Sequence, residues 1–437
     1  MVVNCEIVFD QNPHGTYFAG QTVSGRVVLS TDKTKIIKGL ALKIVGFART
    51  KWTENNNSHN HTNDNKNTGT KSKSETYYGR EDYFATTTYL LGSEESESIQ
   101  IQQGLHNFTF ACPLPPQCPS SFEGKYGHVR YVVKIVLVRP WKFDQTYSRA
   151  FTVLKLMDLN YDSPVLRVPA FQETFKTFCC GPCTSQPLKM KVFVPQTGYV
   201  PGEDIVATIT VTNESTVPVI DLKISFVMLV TIFSDHPKMN SRMDQMKLVK
   251  IKGGVVNTKT TRTITQLIRV PATPPTCYNL CRLIKISYEL EVEAKLKRLH
   301  QNPIVTIPIT IGNVPIVAVI NQQPLPSDYS RFQATAPPRS EVTSSIEERV
   351  FTMSGNMLPQ PARNLSDPVS SGSHQIPPPS YEEAVFMTRA DVNEEDRNAL
   401  GKSEFVPRYP VYCCTEPCAP SEPETFSNND PGKSTWL

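Results

Sequence analysis

Long apolar runs are missing from this sequence, and so are the signatures that mark most enzymes. The best apolar stretch, Phe226–Phe233, is too short to span a bilayer and reads as a buried strand. There is no nucleophile elbow, no P-loop, no HExxH and no Rossmann glycine fingerprint. Isolated Ser, His and Asp residues carry no spacing cue and read as structural. No catalytic residue, cofactor site or metal site is therefore assigned, and the chain is expected not to be an enzyme. Charge of one sign is lacking too: 45 Lys and Arg stand against 41 Asp and Glu, a formal net of +4, which calls for no nucleic-acid partner. No signal-peptide pattern precedes the opening strand, MVVNCEIVFD. The expectation is a cytosolic chain with its 11 cysteines mostly reduced.

Helix periodicity is also scarce, and what replaces it is a duplication. YFAGQTVSGRVVL at Tyr17–Leu29 lines up without gaps on YVPGEDIVATITV at Tyr199–Val211. Tyr17 meets Tyr199, Gly20 meets Gly202, and Val23, Val27 and Leu29 meet Ile205, Ile209 and Val211. The same offset carries Leu40, Leu42 and Ile44 onto Leu222, Ile224 and Phe226. In each copy a glycine turn precedes a run of period two, so one face is apolar and the other polar. That is the pattern of sheet packed on sheet. Further on, Val129, Tyr131, Val133, Ile135 and Leu137 alternate, and Ile286, Tyr288, Leu290, Val292 and Ala294 do likewise. Each of these runs follows a proline cluster.

The resulting fold class is all-β, with two tandem immunoglobulin-like β-sandwiches. The first covers residues 1–156 and the second 186–315. Residues 157–185 connect them. Long strands are expected at Ile36–Trp52, Tyr77–Leu91, Ile99–Cys112 and Ile304–Ile311. Thr53–Glu75 is polar and reads as a mobile loop, whose His59 and His61 are solvated side chains rather than metal ligands. Of the 36 prolines many lie after residue 320, and 316–437 reads as a disordered, Pro-rich tail.

The tail carries the sharpest motif. Pro378-Pro379-Ser380-Tyr381 is a PPxY sequence preceded by Pro377. Consecutive prolines pre-form a polyproline II helix with three residues per turn, which puts Pro378 and Tyr381 on one face. WW domains offer aromatic grooves to such a face. Val406-Pro407-Arg408-Tyr409 is a degraded second copy; Pro407 and Tyr409 would add avidity toward a partner with several WW domains. The end, Ser434-Thr435-Trp436-Leu437, has the form of a PDZ ligand at Leu437, but the match is short and a plain disordered end is the simpler reading.

The cysteines and basic residues leave readings open. Cys180-x-x-Cys183 and Cys277-x3-Cys281 have thiolate spacing for zinc, but no rule links the two pairs, and reduced structural cysteines are the simpler reading. Cys179, Cys180, Cys413 and Cys414 are available for S-acylation, which would support peripheral membrane association. Lys33, Lys35, Lys38, Lys43, Arg49 and Lys51 form either a site for acidic tails or a charged solvent face.

The stretches YFAGQTVSGRVVL, IKGLALKIVGFARTKWTE at Ile37–Glu54, SFEGKYGHVRYVVKIVLVRPW at Ser121–Trp141 and FCCGPCTS at Phe178–Ser185, followed by PPPSY, together resemble the α-arrestins, the arrestin domain-containing proteins. The resemblance spans residues 1–315 and the tail motif, and is nearest the vertebrate subgroup that includes arrestin domain-containing protein 3. It implies arrestin N and C domains joined by a hinge. It also implies a cytoplasmic adaptor, recruited to plasma membrane and endosomes, that links receptors or transporters to WW-domain HECT-type E3 ubiquitin ligases and promotes their endocytosis and endosomal transport. Two other functions stay open. One is a thiol-responsive regulator binding a thioredoxin-like partner through Cys179–Cys183. The other is a retromer-type sorting-coat subunit, which would not need PPPSY.

Overall fold

The computed structural model describes residues 3–10, 12, 14–56, 73–161, 164–180, 183–184, 186–297, 300–317, 379–384 and 405–412. Strands dominate, and the described residues contain no α-helix, only one short 3-10 turn at Pro164–Arg167.

The duplicated segments become the same piece of structure twice. Tyr17 and Tyr199 lie in short strands, Thr16–Phe18 and Gly198–Tyr199. Each pairs in parallel with the last strand of its own lobe, Thr16 with Thr152 and Gly198 with Thr310. A tight turn follows, with the Gln21 amide donating to the Phe18 carbonyl at 3.0 Å and the Glu203 amide to the Val200 carbonyl at 3.1 Å. The side chains repeat the bond in reverse: the Phe18 amide donates to Gln21 Oε1 at 2.8 Å, and the Val200 amide to Glu203 Oε2 at 2.9 Å. Gly20 and Gly202 hold φ of 90° and 95°, which a side chain would resist. The strands that follow, Thr22–Thr31 and Asp204–Asn213, bury every second residue.

Around each copy two sheets face one another. In the first lobe Val3–Phe9, Thr22–Thr31 and Gly104–Pro113 form one sheet. The other runs in the order Thr16–Phe18, Gln145–Leu154, Gly127–Val138, Gly39–Asn56, Lys73–Gly92. In the second lobe Leu188–Val194 and Asp204–Asn213 sit between Ala170–Lys176 and Thr260–Arg269, opposite a five-stranded sheet centred on Ile284–Leu296 and Val219–Ser234. Apolar side chains fill the space between sheets. Phe9, Tyr17 and Phe151 meet edge to face at 5.8–5.9 Å in the first lobe, and Phe226 stacks on Tyr288 at 5.5 Å in the second. The paired strands predicted from alternation also share an anchor: Tyr131 donates its hydroxyl to the Pro119 carbonyl at 2.7 Å, and Tyr288 to the Pro274 carbonyl at 2.6 Å.

The structure corrects several expectations. The connection 157–185 contains an edge strand of the second lobe, Ala170–Lys176, paired to Leu188–Val194. Ile36–Trp52 breaks at Lys38, and Ile99–Cys112 breaks between Ile101 and Gly104, where Gly104 takes φ 133°. Strands reach into the expected loop as far as Asn56 and from Lys73, while His59 and His61 lie outside the described residues.

One core residue makes the first lobe pH-sensitive. His128 is buried against Phe47, and neither ring nitrogen has a hydrogen-bond partner. Burial, with the Arg130 and Arg49 cations nearby, holds its pKa well below the ordinary value, so the folded state carries it neutral. The unfolded chain protonates it near pH 6.5. Its contribution is therefore full above that pH and is lost as pH falls below it, by up to about 1.4 kcal/mol per pH unit. Denaturation midpoints followed from about pH 7.5 to about pH 5.5 should fall further for wild type than for His128→Phe; parallel curves would exclude this histidine as the source.

Candidate functional site

The tail contributes two described pieces, 379–384 and 405–412, and they form one antiparallel ribbon. Ser380 lies opposite Val411, Tyr381 opposite Pro410, Glu382 opposite Tyr409, and Glu383 opposite Arg408. Arg408 Nη2 bonds Glu383 Oε1 at 2.7 Å, and the Ala384 amide donates to the Pro407 carbonyl at 2.9 Å. Pro410 has no amide to give, a deficit a ribbon edge tolerates. Pro378 lies outside the described residues. Pro379 is half-buried, Ser380 is exposed, and Tyr381 keeps 37 % of its surface open.

The second motif has a different fate. Tyr409 is fully buried, and Pro407 is buried with it. The Tyr409 hydroxyl donates to the Ser121 carbonyl at 2.8 Å, and the Arg408 amide donates to Thr152 Oγ1 at 3.2 Å. Both acceptors belong to the first lobe. Burial, together with neighbouring Tyr288 and Glu123, pushes the Tyr409 pKa well up, so the phenol stays a donor. Three residues on, Tyr412 grips the second lobe: its amide donates to the Pro201 carbonyl at 2.9 Å and its hydroxyl to the Asn313 carbonyl at 2.8 Å. Its ring packs with Leu159, Leu166, Val200 and Ile316. Pro407 and Tyr409, expected as part of a second WW ligand, are buried against the body. A polar tail cannot hold itself, but Tyr-Pro-Val-Tyr supplies enough apolar surface to dock.

Gly202 makes room for this. A Cβ there would overlap the Tyr412 carbonyl oxygen and stand 2.7 Å from the Tyr412 nitrogen. At the matching Gly20 a Cβ would meet nothing nearer than Pro116 Cβ at 3.7 Å. The tail thus docks on one of two equivalent turns.

The lobes also touch each other directly. Asn313 accepts from the Met157 amide at 2.7 Å through Oδ1 and donates to the Lys155 carbonyl at 2.7 Å through Nδ2. Thr50 Oγ1 donates to the Phe233 carbonyl at 2.7 Å, Glu81 Oε2 accepts the Arg282 amide at 2.8 Å, and Arg242 Nη2 donates to the Tyr126 hydroxyl at 2.8 Å with its guanidinium over the same ring. The tail segment crosses a seam already closed by side chains.

Other candidate residues fall elsewhere. Burial pushes the Cys281 thiol up to about 12 and raises Cys277 as well, so both stay protonated at neutral pH. The backbone pairs Cys180 with Cys183 in antiparallel register. Cys413, Cys414 and Leu437 lie outside the described residues. Among the described residues no group of three or more His, Cys, Asp and Glu is placed to hold a metal. Of the basic residues, Lys35 pairs with Asp32 at 3.0 Å, while Arg49 lies over Phe47 in a cleft of about 340 Å³ that Arg80 and Lys134 also line. Lys33, Lys38, Lys43 and Lys51 are not among the residues lining that cleft.

Comparison with known proteins now bears on this arrangement. Residues 5–160 match the family model described as Arrestin (or S-antigen), N-terminal domain, and residues 184–316 match its C-terminal domain. The chain is an α-arrestin. Arrestin domain-containing protein 17 of Caenorhabditis elegans is 29 % identical to this α-arrestin over 439 residues, covering 93 % of this chain and 98 % of the relative. Arrestin domain-containing protein 4 of Mus musculus is 27 % identical over 315 residues, 71 % of each chain. The Homo sapiens protein of that name is 25 % identical over 408 residues, covering 89 % of this α-arrestin and 93 % of the relative. Its two family domains are the two lobes whose seam receives the tail.

Proposed function

We propose that this α-arrestin is a non-enzymatic adaptor that brings membrane cargo to a WW-domain HECT-type ubiquitin ligase. The observation that carries the reading is the PPxY sequence Pro378–Tyr381 in an arrestin-family chain, with Tyr381 partly open to solvent. The lobes would engage receptors or transporters at the plasma membrane and endosomes, from the cytoplasmic side. The ligase would supply the chemistry, and tethering would raise its local concentration at cargo lysines. Peripheral association, with or without acylation at the cysteine clusters, and a PDZ partner at Leu437 belong to the same proposal. A thiol-responsive function gains no support from Cys277 and Cys281, whose burial keeps them protonated.

The test is direct binding of isolated WW domains from a HECT-type ligase to the full chain, measured by calorimetry. Tyr381→Ala should weaken binding by a hundredfold or so, about 2.7 kcal/mol, because the ring is the anchor of the motif. Unchanged affinity in this variant would end the proposal.

A further inference from the structure

The tail was expected to carry two ligands for other proteins, yet one of them is a ligand for the chain itself. We propose that the seam between the lobes is a binding site for an extended Arg-Tyr-Pro-x-Tyr peptide, that its resident ligand is Pro407–Tyr412, and that the docked segment withholds Tyr381 from WW domains until it is released.

The site is built from acceptors. Ser121, Pro201 and Asn313 present backbone carbonyls, and Thr152 presents a hydroxyl oxygen. The ligand answers with two phenol donors and two amide donors, all made at 2.8–3.2 Å. Tyr409 takes the first lobe and Tyr412 the second, so a single turn-free segment has one anchor on each body. Gly202 and the apolar group Leu159, Leu166, Val200 and Ile316 complete the second anchor. A ligand lacking either hydroxyl leaves a buried carbonyl unpaired. A phosphate on Tyr409 would stand against the Ser121 carbonyl and the Glu123 carboxylate, both of which repel it.

The second half rests on reading Pro378–Tyr381 as a WW ligand. A WW groove closes around the tyrosine ring and a proline on the same side of a three-fold helix. In the ribbon Ser380–Glu383 is instead committed to strand pairing, where successive side chains alternate. Nearly two-thirds of Tyr381 is already covered, since only 37 % is open. Binding by a WW domain and pairing with Arg408–Val411 therefore compete, and affinity falls by the fraction of molecules with the ribbon open. The ribbon in turn depends on the seam, because Arg408–Val411 is held in place by Tyr409 within it and by Tyr412 just after it.

Two measurements on the full chain test this. Hydrogen exchange reads the site alone: the Arg408, Tyr412 and Ala384 amides should be protected in wild type and exposed in Tyr409→Ala with Tyr412→Ala. Arg408→Pro, which removes the amide donated to Thr152 without hollowing the buried face, should expose the Tyr412 and Ala384 amides too. Exchange of the wild-type amides at unstructured rates would overturn the site. Calorimetry with an isolated WW domain reads the coupling: a peptide of residues 374–387 should bind at least tenfold more tightly than the full chain, and the tail variants should close that gap. Equal affinities for peptide and wild-type chain would overturn the withholding. A peptide that fails to bind any WW domain would overturn both the coupling and the WW reading, while the exchange result would still decide the site.

Discussion

Glu123→Ala is expected to cost the folded protein about 3–5 kcal/mol, the range for removing one partner of a buried ion pair. Glu123 and Arg130 sit on neighbouring strands, with side chains only 8 % and 4 % exposed. Arg130 donates to it twice, from Nε and from Nη2, the latter at 2.7 Å. The geometry is bidentate, the form in which an arginine–carboxylate pair is strongest. Losing the carboxylate leaves a guanidinium without its counter-charge beside His128, already a neutral and unpartnered ring. Glu123 also lies beside Tyr409, so the same change should loosen the tail. Chemical denaturation would read the stability loss. The paired change Glu123→Met with Arg130→Met should restore most of it, because two apolar groups leave no stranded charge. A single-variant loss under about 1 kcal/mol would mean that water reaches the pair.

Gly202→Ala should expel the tail, and Gly20→Ala should not. Both glycines hold nearly the same positive φ, so an alanine at either costs about 1–2 kcal/mol of backbone strain. Only at position 202 does the added methyl run into backbone atoms of Tyr412, which cannot rotate away. The backbone strain is shared, so Gly202→Ala should lose more stability in thermal unfolding than Gly20→Ala, the difference being the lost tail contacts. Their tails should differ: proteolysis between residues 405 and 412 should be fast in Gly202→Ala and slow in Gly20→Ala. Equal resistance in the two would place Tyr412 elsewhere.

The sandwiches were legible because alternation leaves one face to bury. Val23, Val27 and Leu29 in one copy, and Ile205, Ile209 and Val211 in the other, are all wholly buried. Period two with a glycine turn admits little else. The strand Ala170–Lys176 was not legible, because it inverts the rule. Its large apolar residues, Phe171 and Phe175, face outward and are exposed, so no inward stripe marks it. The break at Lys38 was missed because apolar residues flank it on both sides; the break at Gln102-Gln103 carries its own sign, the Gly104 that follows, which alternation alone does not use.

The tail shows a different limit. The Pro-Pro-Ser-Tyr motif could be found because proline chemistry is local. Its ribbon partner could not, because Arg408–Val411 is a strand only by virtue of Ser121, Thr152, Pro201 and Asn313, all far away in the chain. The one available sign was Tyr-Pro-Val-Tyr itself, an apolar cluster in a polar stretch. Read as a worn copy of the first motif, it pointed outward to a partner; read as buried surface, it points inward.

The parallel pairing of Thr16 with Thr152 and of Gly198 with Thr310 sets the timetable of synthesis. The partner of each early strand is made more than a hundred residues later. At roughly 5–20 residues per second, a ribosome leaves each of these strands waiting for several seconds. During that wait the opposing sheet is incomplete and part of each alternating apolar face stays uncovered, which makes newly made protein a form in need of a chaperone.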